Sequence, residues 1–285
     1  MTTVRDDVST WLITGCSTGI GREIALAALA KGHRVAATAR NPAAIEDIVT
    51  AYPEQAIALP LDVTDARQIA KAVSQTEQAF EAIDVLVNNA GYGYMAAVEE
   101  GDDAEVRTMF DTNYFGAVDL IKAVLPGMRR RRDGHIINIS SMTGLVSNPP
   151  NIYYSSSKFA LESLTEGLAK ELAPFGIRVT AIEPGAFRTD WGTRSMKETS
   201  QPIDDYDDMV GARRRMIREI GGALPGDPRK VGAAAVMITE LEHPPLRLLL
   251  GQDVLDATRE KLTAMLASIN EWEAVTLDVD FPPEE

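Results

Sequence analysis

The chain has 285 residues, 45% of them hydrophobic and 25% charged, proportions that suit one large core and a single domain over residues 1–285. Its 28 Lys and Arg stand against 42 Asp and Glu, a formal charge of −14, which argues against nucleic acid or an anionic membrane as partner and for solubility. Cys16 is the only cysteine, which excludes an internal disulfide and a thiolate metal cluster; with no signal-like start and no apolar run near the ~20 residues that span a bilayer, the expected compartment is the cytoplasm.

Residues 11–14 read as a strand and 20–31 as a helix, joined by Gly15-Cys16-Ser17-Thr18-Gly19-Ile20-Gly21. A glycine loop there leaves backbone amides and the positive helix end free to attract a phosphate, and glycine permits the tight turn and close approach. Gly15, Ser17, Thr18, Gly19, Ile20 and Gly21 are therefore candidate cofactor contacts, and Cys16 reads as a small residue filling the turn. The strand 34–39 ends just before Arg40, about twenty residues past the loop, where dinucleotide folds judge the ribose 2′ position. A guanidinium there can hold a phosphate through two donors, so NADP(H) is favoured, with NAD(H) possible and a plain surface arginine as the alternative.

Asn41-Pro42 opens a helix over 42–52, and a strand follows at 56–61. Asp62 and Val63 come at its end, on the sheet edge where ligands of such folds lie; Asp62 can accept from an adenine amine or cap the helix over 65–82. The strand 84–87 runs into Asn88-Asn89-Ala90-Gly91, whose small residues let a ring approach and which is equally an ordinary turn composition. The helix over 102–132 carries Asn113, by itself a local hydrogen-bonding residue. It ends in Arg129-Arg130-Arg131-Arg132, which offset the negative end of the helix more simply than they form a nucleic-acid patch.

The strand 135–139 leads to Ser141, and Tyr154 follows in a helix over 152–175. Tyr154 and Lys158 are four apart and share a helix face, so both can point at one ligand, whereas Tyr153 pairs with Ser157. After the strand 177–182 come Pro184-Gly185, Phe187 and Thr189, at the same sheet edge. Residues 188–226 break the alternation with Trp191, acidic residues at 204–208 and Gly221-Gly222, and form a candidate lid. A helix over 227–242, a strand at 246–250, an additional helix over 253–273 and an acidic tail complete the chain. Seven strands alternating with helices predict an α/β, Rossmann-like doubly wound parallel sheet with helices on both faces. His33, His135 and His243 are scattered, and no cluster has metal-ligand spacing, so no metal is expected.

With Thr14-Gly-x-x-x-Gly-x-Gly21, Asn88-Asn-Ala-Gly91, Asn113, Ser141, Tyr154-x-x-x-Lys158 and Pro184-Gly185 with Thr189 in this order, the chain resembles the short-chain dehydrogenase/reductase family from Trp11 to about Gly251. The resemblance is to its single-domain branch. Thr14-Gly-Cys-Ser and Ala37-Thr-Ala-Arg40 resemble NADP-using members that act on steroid- or retinol-like alcohols. The resemblance implies that Tyr154 is the general acid of carbonyl reduction and the base of the reverse reaction. It implies that Lys158 favours the phenolate and holds the nicotinamide ribose, that Ser141 holds the carbonyl oxygen, and that Asn113 positions a water linking Lys158 to solvent. Asn89, Ala90 and Gly91 would lie beside the cofactor, with backbone near Phe187 and the Thr189 hydroxyl at the carboxamide or diphosphate.

The residues after these motifs, Tyr92, Tyr94, Met95, Met142, Leu145, Val146, Phe187 and Trp191, would line the substrate pocket, with Tyr94, Met142, Val146 and Trp191 as the substrate-binding candidates. They are mostly apolar, which points to a hydrophobic ketone, aldehyde or secondary alcohol, although the same side chains can pack a core. The last strand lacks the Asp-Gly-Gly ending common in the branch, and the helix after it continues, which puts the usual tetramer contact in question. Family members associate through the long helices after Asp102 and Ile152, so a homodimer or homotetramer is expected. A non-catalytic NADP(H)-binding redox sensor is the alternative, but it has no need of Ser141, Tyr154 and Lys158 together. Epimerase or dehydratase chemistry belongs to extended members with a larger C-terminal domain, for which little chain remains after Pro184.

Overall fold

The computed structural model describes residues 8–190, 194–220 and 224–281. Seven strands form one parallel sheet: β1 (Thr10–Ile13), β2 (Arg34–Ala39), β3 (Ala56–Pro60), β4 (Val85–Asn88), β6 (Gly134–Ile139), β7 (Ile177–Pro184) and β9 (Arg247–Leu250). Their spatial order is β3-β2-β1-β4-β6-β7-β9. The chain winds outward from β1 in one direction and from β4 in the other, and the crevice between them at the carboxyl ends is where such sheets bind ligands.

Both faces of this sheet are covered, so its inner strands are buried along their length and mostly apolar, with Thr10, Asn88, His135 and Asn138 as buried polar exceptions. Side chains alternate across it. Trp11 and Ile13 enter a core with Ile24, Val35, Val231 and Val236, under the helices α1 (Gly19–Ala30) and α8 (Pro228–Thr239). Leu12 points the other way, into a core with Leu86, Leu120, Ile136 and Leu168. That face lies under α3 (Ala66–Phe80), α5 (Gly116–Arg131) and α6 (Ile152–Leu172). The remaining helices are α2 (Glu46–Ala51), α4 (Asp103–Phe110), α7 (Ala212–Ile220), α9 (Gln252–Glu271) and α10 (Glu273–Leu277).

The predicted starts have identifiable caps: Asp65, Asp102 and Asp227 each accept backbone N–H groups at the head of a helix. The helix expected over 102–132 is continuous but not uniform. Residues Asp111–Phe115 form a π-helical turn between α4 and α5, and this wider turn carries the buried Asn113. Arg132 ends α5 in the left-handed conformation, its guanidinium donating to the Pro174 carbonyl at 2.8 Å, and Arg131 donates to the Ile83 carbonyl. Arg131 and Arg132 thus tie the end of α5 to the segments that lead into β4 and β7.

Two short strands were not anticipated. β5 (Gly93–Met95) pairs in parallel with β8 (Met196–Glu198), joining the turn after β4 to residues a hundred positions later. The ends of 188–226 are drawn together where Arg188 N–H meets the Gly226 carbonyl at 2.9 Å and Gly226 N–H meets the Ala186 carbonyl at 3.0 Å. Arg214 of α7 forms a buried ion pair with Glu100 at 3.2 Å, and Glu100 also accepts from the backbone N–H groups of Ala97 and Ile203. Trp191, Gly221 and Gly222 lie outside the described residues. No described helix is long and apolar enough to cross a membrane.

Candidate active site

The phosphate-loop geometry begins at Thr14. Its hydroxyl accepts the N–H groups of Asn89 and Ala90, each at 2.9 Å, while the Asn89 amide donates to the Thr14 and Gly15 carbonyls at 2.8 and 3.2 Å. The turns after β1 and β4 are therefore tied together across the crevice. Gly15 has φ +72°, in the left-handed region. A Cβ on Gly21 would overlap the Asn89 amide and the Gly15 carbonyl, so the helix start fits beneath the loop only because it lacks a side chain.

At the start of α1, Thr18 makes no side-chain cap and the first turn holds no acidic residue. Its free N–H groups and positive helix end fit an anionic phosphate. This open, glycine-lined cradle fits a nicotinamide dinucleotide. Ser17, Thr18, Gly19 and Ile20 are partly accessible around it, and a Cβ on Gly19 would stand 3.6 Å from the Thr189 Cβ. Arg194 also reaches this loop, donating to the Ser17 hydroxyl at 3.3 Å. Gly21→Ala should weaken cofactor binding measurably by fluorescence titration and cost roughly 1–3 kcal/mol of stability through overpacking.

Along the same edge, Arg40 is exposed at the end of β2. Asp62 accepts the Thr64 N–H and hydroxyl at 3.0 and 2.7 Å, and it is Asp65, not Asp62, that caps α3. Val63 is buried beside Gly116. Pro184 closes β7, and Gly185 and Phe187 follow half-buried. Asp253, at the start of α9, accepts the Ala186 N–H at 2.7 Å and so holds this turn.

The second group of residues converges from β4, β6 and α6. Ser141 ends the β6 connection and accepts the Thr143 N–H and hydroxyl at 3.1 and 3.0 Å. Tyr154, in the first turn of α6, is 5% exposed and hydrogen-bonded with Ser141. Burial pushes its phenol well above the usual tyrosine value, and the Ser141 hydrogen bond works against that shift. Tyr153 faces elsewhere and donates to the Val98 carbonyl at 2.6 Å, as the helical spacing required.

Lys158 is buried on the Tyr154 face of α6 and donates to the Ile139 carbonyl at 2.8 Å, its Nζ 5.7 Å from the Tyr154 ring centroid. Burial pushes its ammonium down to about 8, with Glu162, one turn further along, favouring the charge. Asn113 donates to the Tyr92 carbonyl at 2.9 Å and to the Ser157 hydroxyl at 3.1 Å, and accepts the Tyr92 N–H at 3.0 Å. A Cβ on Gly91 would come within 3.0 Å of the Asn113 Oδ1 and 3.6 Å of the Lys158 Nζ. The post-β4 turn, the π-helical turn and α6 thus meet at one point.

Of the pocket candidates, Met142 and Val146 are half-buried after Ser141. Tyr94 is buried in a cluster with Tyr154, Ala96 and Met109, its hydroxyl accepting the Asp102 N–H at 3.1 Å. Thr14 heads the glycine motif in the sequence without a role of its own, and the structure gives its hydroxyl the link to the turn after β4. Asp253 and Arg194 come from distant segments and carried no signal as site residues. Among the described residues no group of three or more His, Cys, Asp or Glu could hold a metal ion.

The family described as short chain dehydrogenase matches residues 9–200. An oxidoreductase, BOA17, of Botryotinia fuckeliana is 38% identical over 94% of this chain and 97% of its own length. A 3-ketodihydrosphingosine reductase of Bacteroides thetaiotaomicron is 39% identical over 84% of this chain and 87% of its own. The crystal structure of a short-chain dehydrogenase from Streptomyces avermitilis superposes with a TM-score of 0.91 at 42% identity, covering 96% of this chain and 100% of that one.

Proposed function

The chain belongs to the short-chain dehydrogenase family, and from that premise we propose that it is an NADP(H)-dependent oxidoreductase interconverting an apolar carbonyl compound and its secondary alcohol. The observation that carries this reading is the convergence of Tyr154, Ser141 and Lys158 at the edge of the glycine-lined cradle. When bound, the dinucleotide supplies the hydride for reduction and takes it up in oxidation. Tyr154 donates its phenolic proton to the carbonyl oxygen during reduction and withdraws it from the alcohol in the reverse direction. The Ser141 hydroxyl, already hydrogen-bonded with Tyr154, holds that oxygen. The Lys158 ammonium favours the phenolate that remains, and positioned proton transfer of this kind is typically worth ~10²- to 10⁴-fold in rate. Asn113 fixes the Tyr92 backbone against α6 and serves as the positioning residue for the water beside Lys158.

Arg40, exposed at the sheet edge, supports a preference for the 2′-phosphate. Charge-assisted hydrogen bonds are worth ~1.5–3 kcal/mol, so Arg40→Ala should raise the KM for NADPH by about tenfold or more and leave that for NADH unchanged. Equal effects on the two would remove the preference. Residues 188–226 act as a lid, with Arg194 touching Ser17 of the phosphate loop. The apolar Met142, Leu145, Val146 and Phe187 near the site favour a hydrophobic substrate, and similarity to a protein named for reducing a keto group points to carbonyl reduction. The direct test is NADPH oxidation, with NADH in parallel, against a panel of hydrophobic ketones, aldehydes and quinones. Tight cofactor binding without turnover in either direction would instead favour a binding protein that senses the cofactor.

A further inference from the structure

The C-terminal helix outruns the body of the molecule. Its first turns are held: Val254 and Thr258 of α9 are buried, and Lys261 donates to the Leu145 carbonyl with its Nζ 4.5 Å from the Phe159 ring centroid. After Lys261 every described residue is exposed. The backbone stays helical to Glu271 nonetheless, and after a turn at Trp272, whose N–H meets the Ser268 carbonyl at 3.2 Å and whose carbonyl accepts the Thr276 N–H at 3.0 Å, it continues as α10.

On this projecting arm Leu262, Met265, Leu266, Ile269 and Trp272 are each more than half exposed. Their three- and four-residue spacing sets them on one stripe, and that stripe continues the face on which Val254 and Thr258 are buried. The helix therefore keeps presenting its body-facing side after the body has ended. A lone helical arm is marginal in water, and monomers rarely expose a contiguous apolar stripe of this length.

We propose that the stripe packs against the same stripe of a second copy of this chain, antiparallel, about a two-fold axis passing by Leu266. The charges on the arm fit that arrangement. Arg259 of α9 and Glu273, the first residue of α10, lie seven residues to either side of Leu266, so the two-fold brings Arg259 toward the partner's Glu273 twice over. A parallel pairing would oppose like charges at both positions. A membrane surface is disfavoured because helices that lie on anionic lipid carry Lys and Arg beside the apolar face. Here the chain is at −14 overall, and the arm and its end bear Glu260, Glu271, Asp278 and Asp280.

The test is solution mass by light scattering or sedimentation on the full chain. Leu262→Ser, Leu266→Ser and Ile269→Ser together should halve the assembly mass, and these exposed positions leave the fold intact. Arg259→Glu and Glu273→Arg should each weaken association, and the double variant should restore it. Leu266→Cys should give disulfide-linked dimers under mild oxidation and Ala267→Cys, on the opposite side of the arm, should not; the native Cys16 is fully buried. An unchanged mass in the triple variant, equal cross-linking at 266 and 267, no restoration by the double variant, or a monomeric wild type that floats with phosphatidylcholine vesicles would each overturn the proposal.

Discussion

Replacing Tyr154 by Phe should lower turnover by ~10²- to 10⁴-fold, the range typical of a lost general acid or base, while leaving cofactor binding unchanged. The ring stays, so the packing of Tyr154 with Tyr94, Ala96 and Met109 is kept, and only the hydroxyl that meets Ser141 is removed. Cofactor fluorescence titration and single-turnover absorbance, run on the same preparation, separate the two effects. Burial holds the phenol above its ordinary value, so it keeps its proton through the neutral range and reduction retains its donor there. Oxidation needs the phenolate, so its kcat should rise toward alkaline pH. A variant that turns over normally, or an oxidation rate that falls as pH rises, would remove Tyr154 from the chemistry.

The largest effect on stability is expected at Arg247. This side chain of β9 meets Glu162 at 3.0 Å and Glu166 at 3.1 Å, both on α6, and stands 3.9 Å from Glu183 of β7. Glu183 is fully buried and Glu162 nearly so. Arg247→Met leaves these carboxylates without their shared cation. Removing one partner of a buried pair costs ~3–5 kcal/mol, and because a third of Arg247 meets solvent the lower end applies. The melting temperature should fall by roughly 5–10 °C.

A pH dependence comes with this cluster. Burial first, and then the Glu162 charge, push the Glu183 carboxyl up from 4.5 to about 8, against the pull of Arg247. The folded protein thus holds a proton that the unfolded chain releases near pH 4.5. Stability from Glu183 is fully present below that value, declines as pH rises and is spent once pH has passed about 8. Melting curves from pH 6 to 9 should therefore fall more steeply for the wild type than for Glu183→Gln, and parallel slopes would show that Glu183 does not titrate in this range. Glu162 is also the residue that favours the Lys158 charge, so the cluster reaches the site as well as the fold.

The α/β alternation, the glycine loop and the Tyr154–Lys158 face were legible because each rests on short-range rules: strand and helix periodicity, capping residues and the i, i+4 spacing. Even the choice of Tyr154 over Tyr153 follows from helix geometry. Glu162 was legible in principle, since it continues the helical series Tyr154, Lys158, Glu162, but its meaning required Glu183 of β7 and Arg247 of β9. The π-helical turn at Asn113 left no mark in the residue pattern, because one widened turn barely alters the apolar spacing of a long helix.

What the chain alone determined was the order of its elements and the types of side chain delivered to the carboxyl edge of the sheet. Tertiary structure decided which distant segments meet there: β5 with β8, Arg194 with Ser17, Asp253 with the turn after β7, and Arg247 with its three carboxylates. Such pairings depend on how the whole sheet stacks its helices, and residue spacing along the sequence carries no record of that. The exposure of the C-terminal stripe is decided in the same way, because a helix shows where its neighbours end only after they have packed.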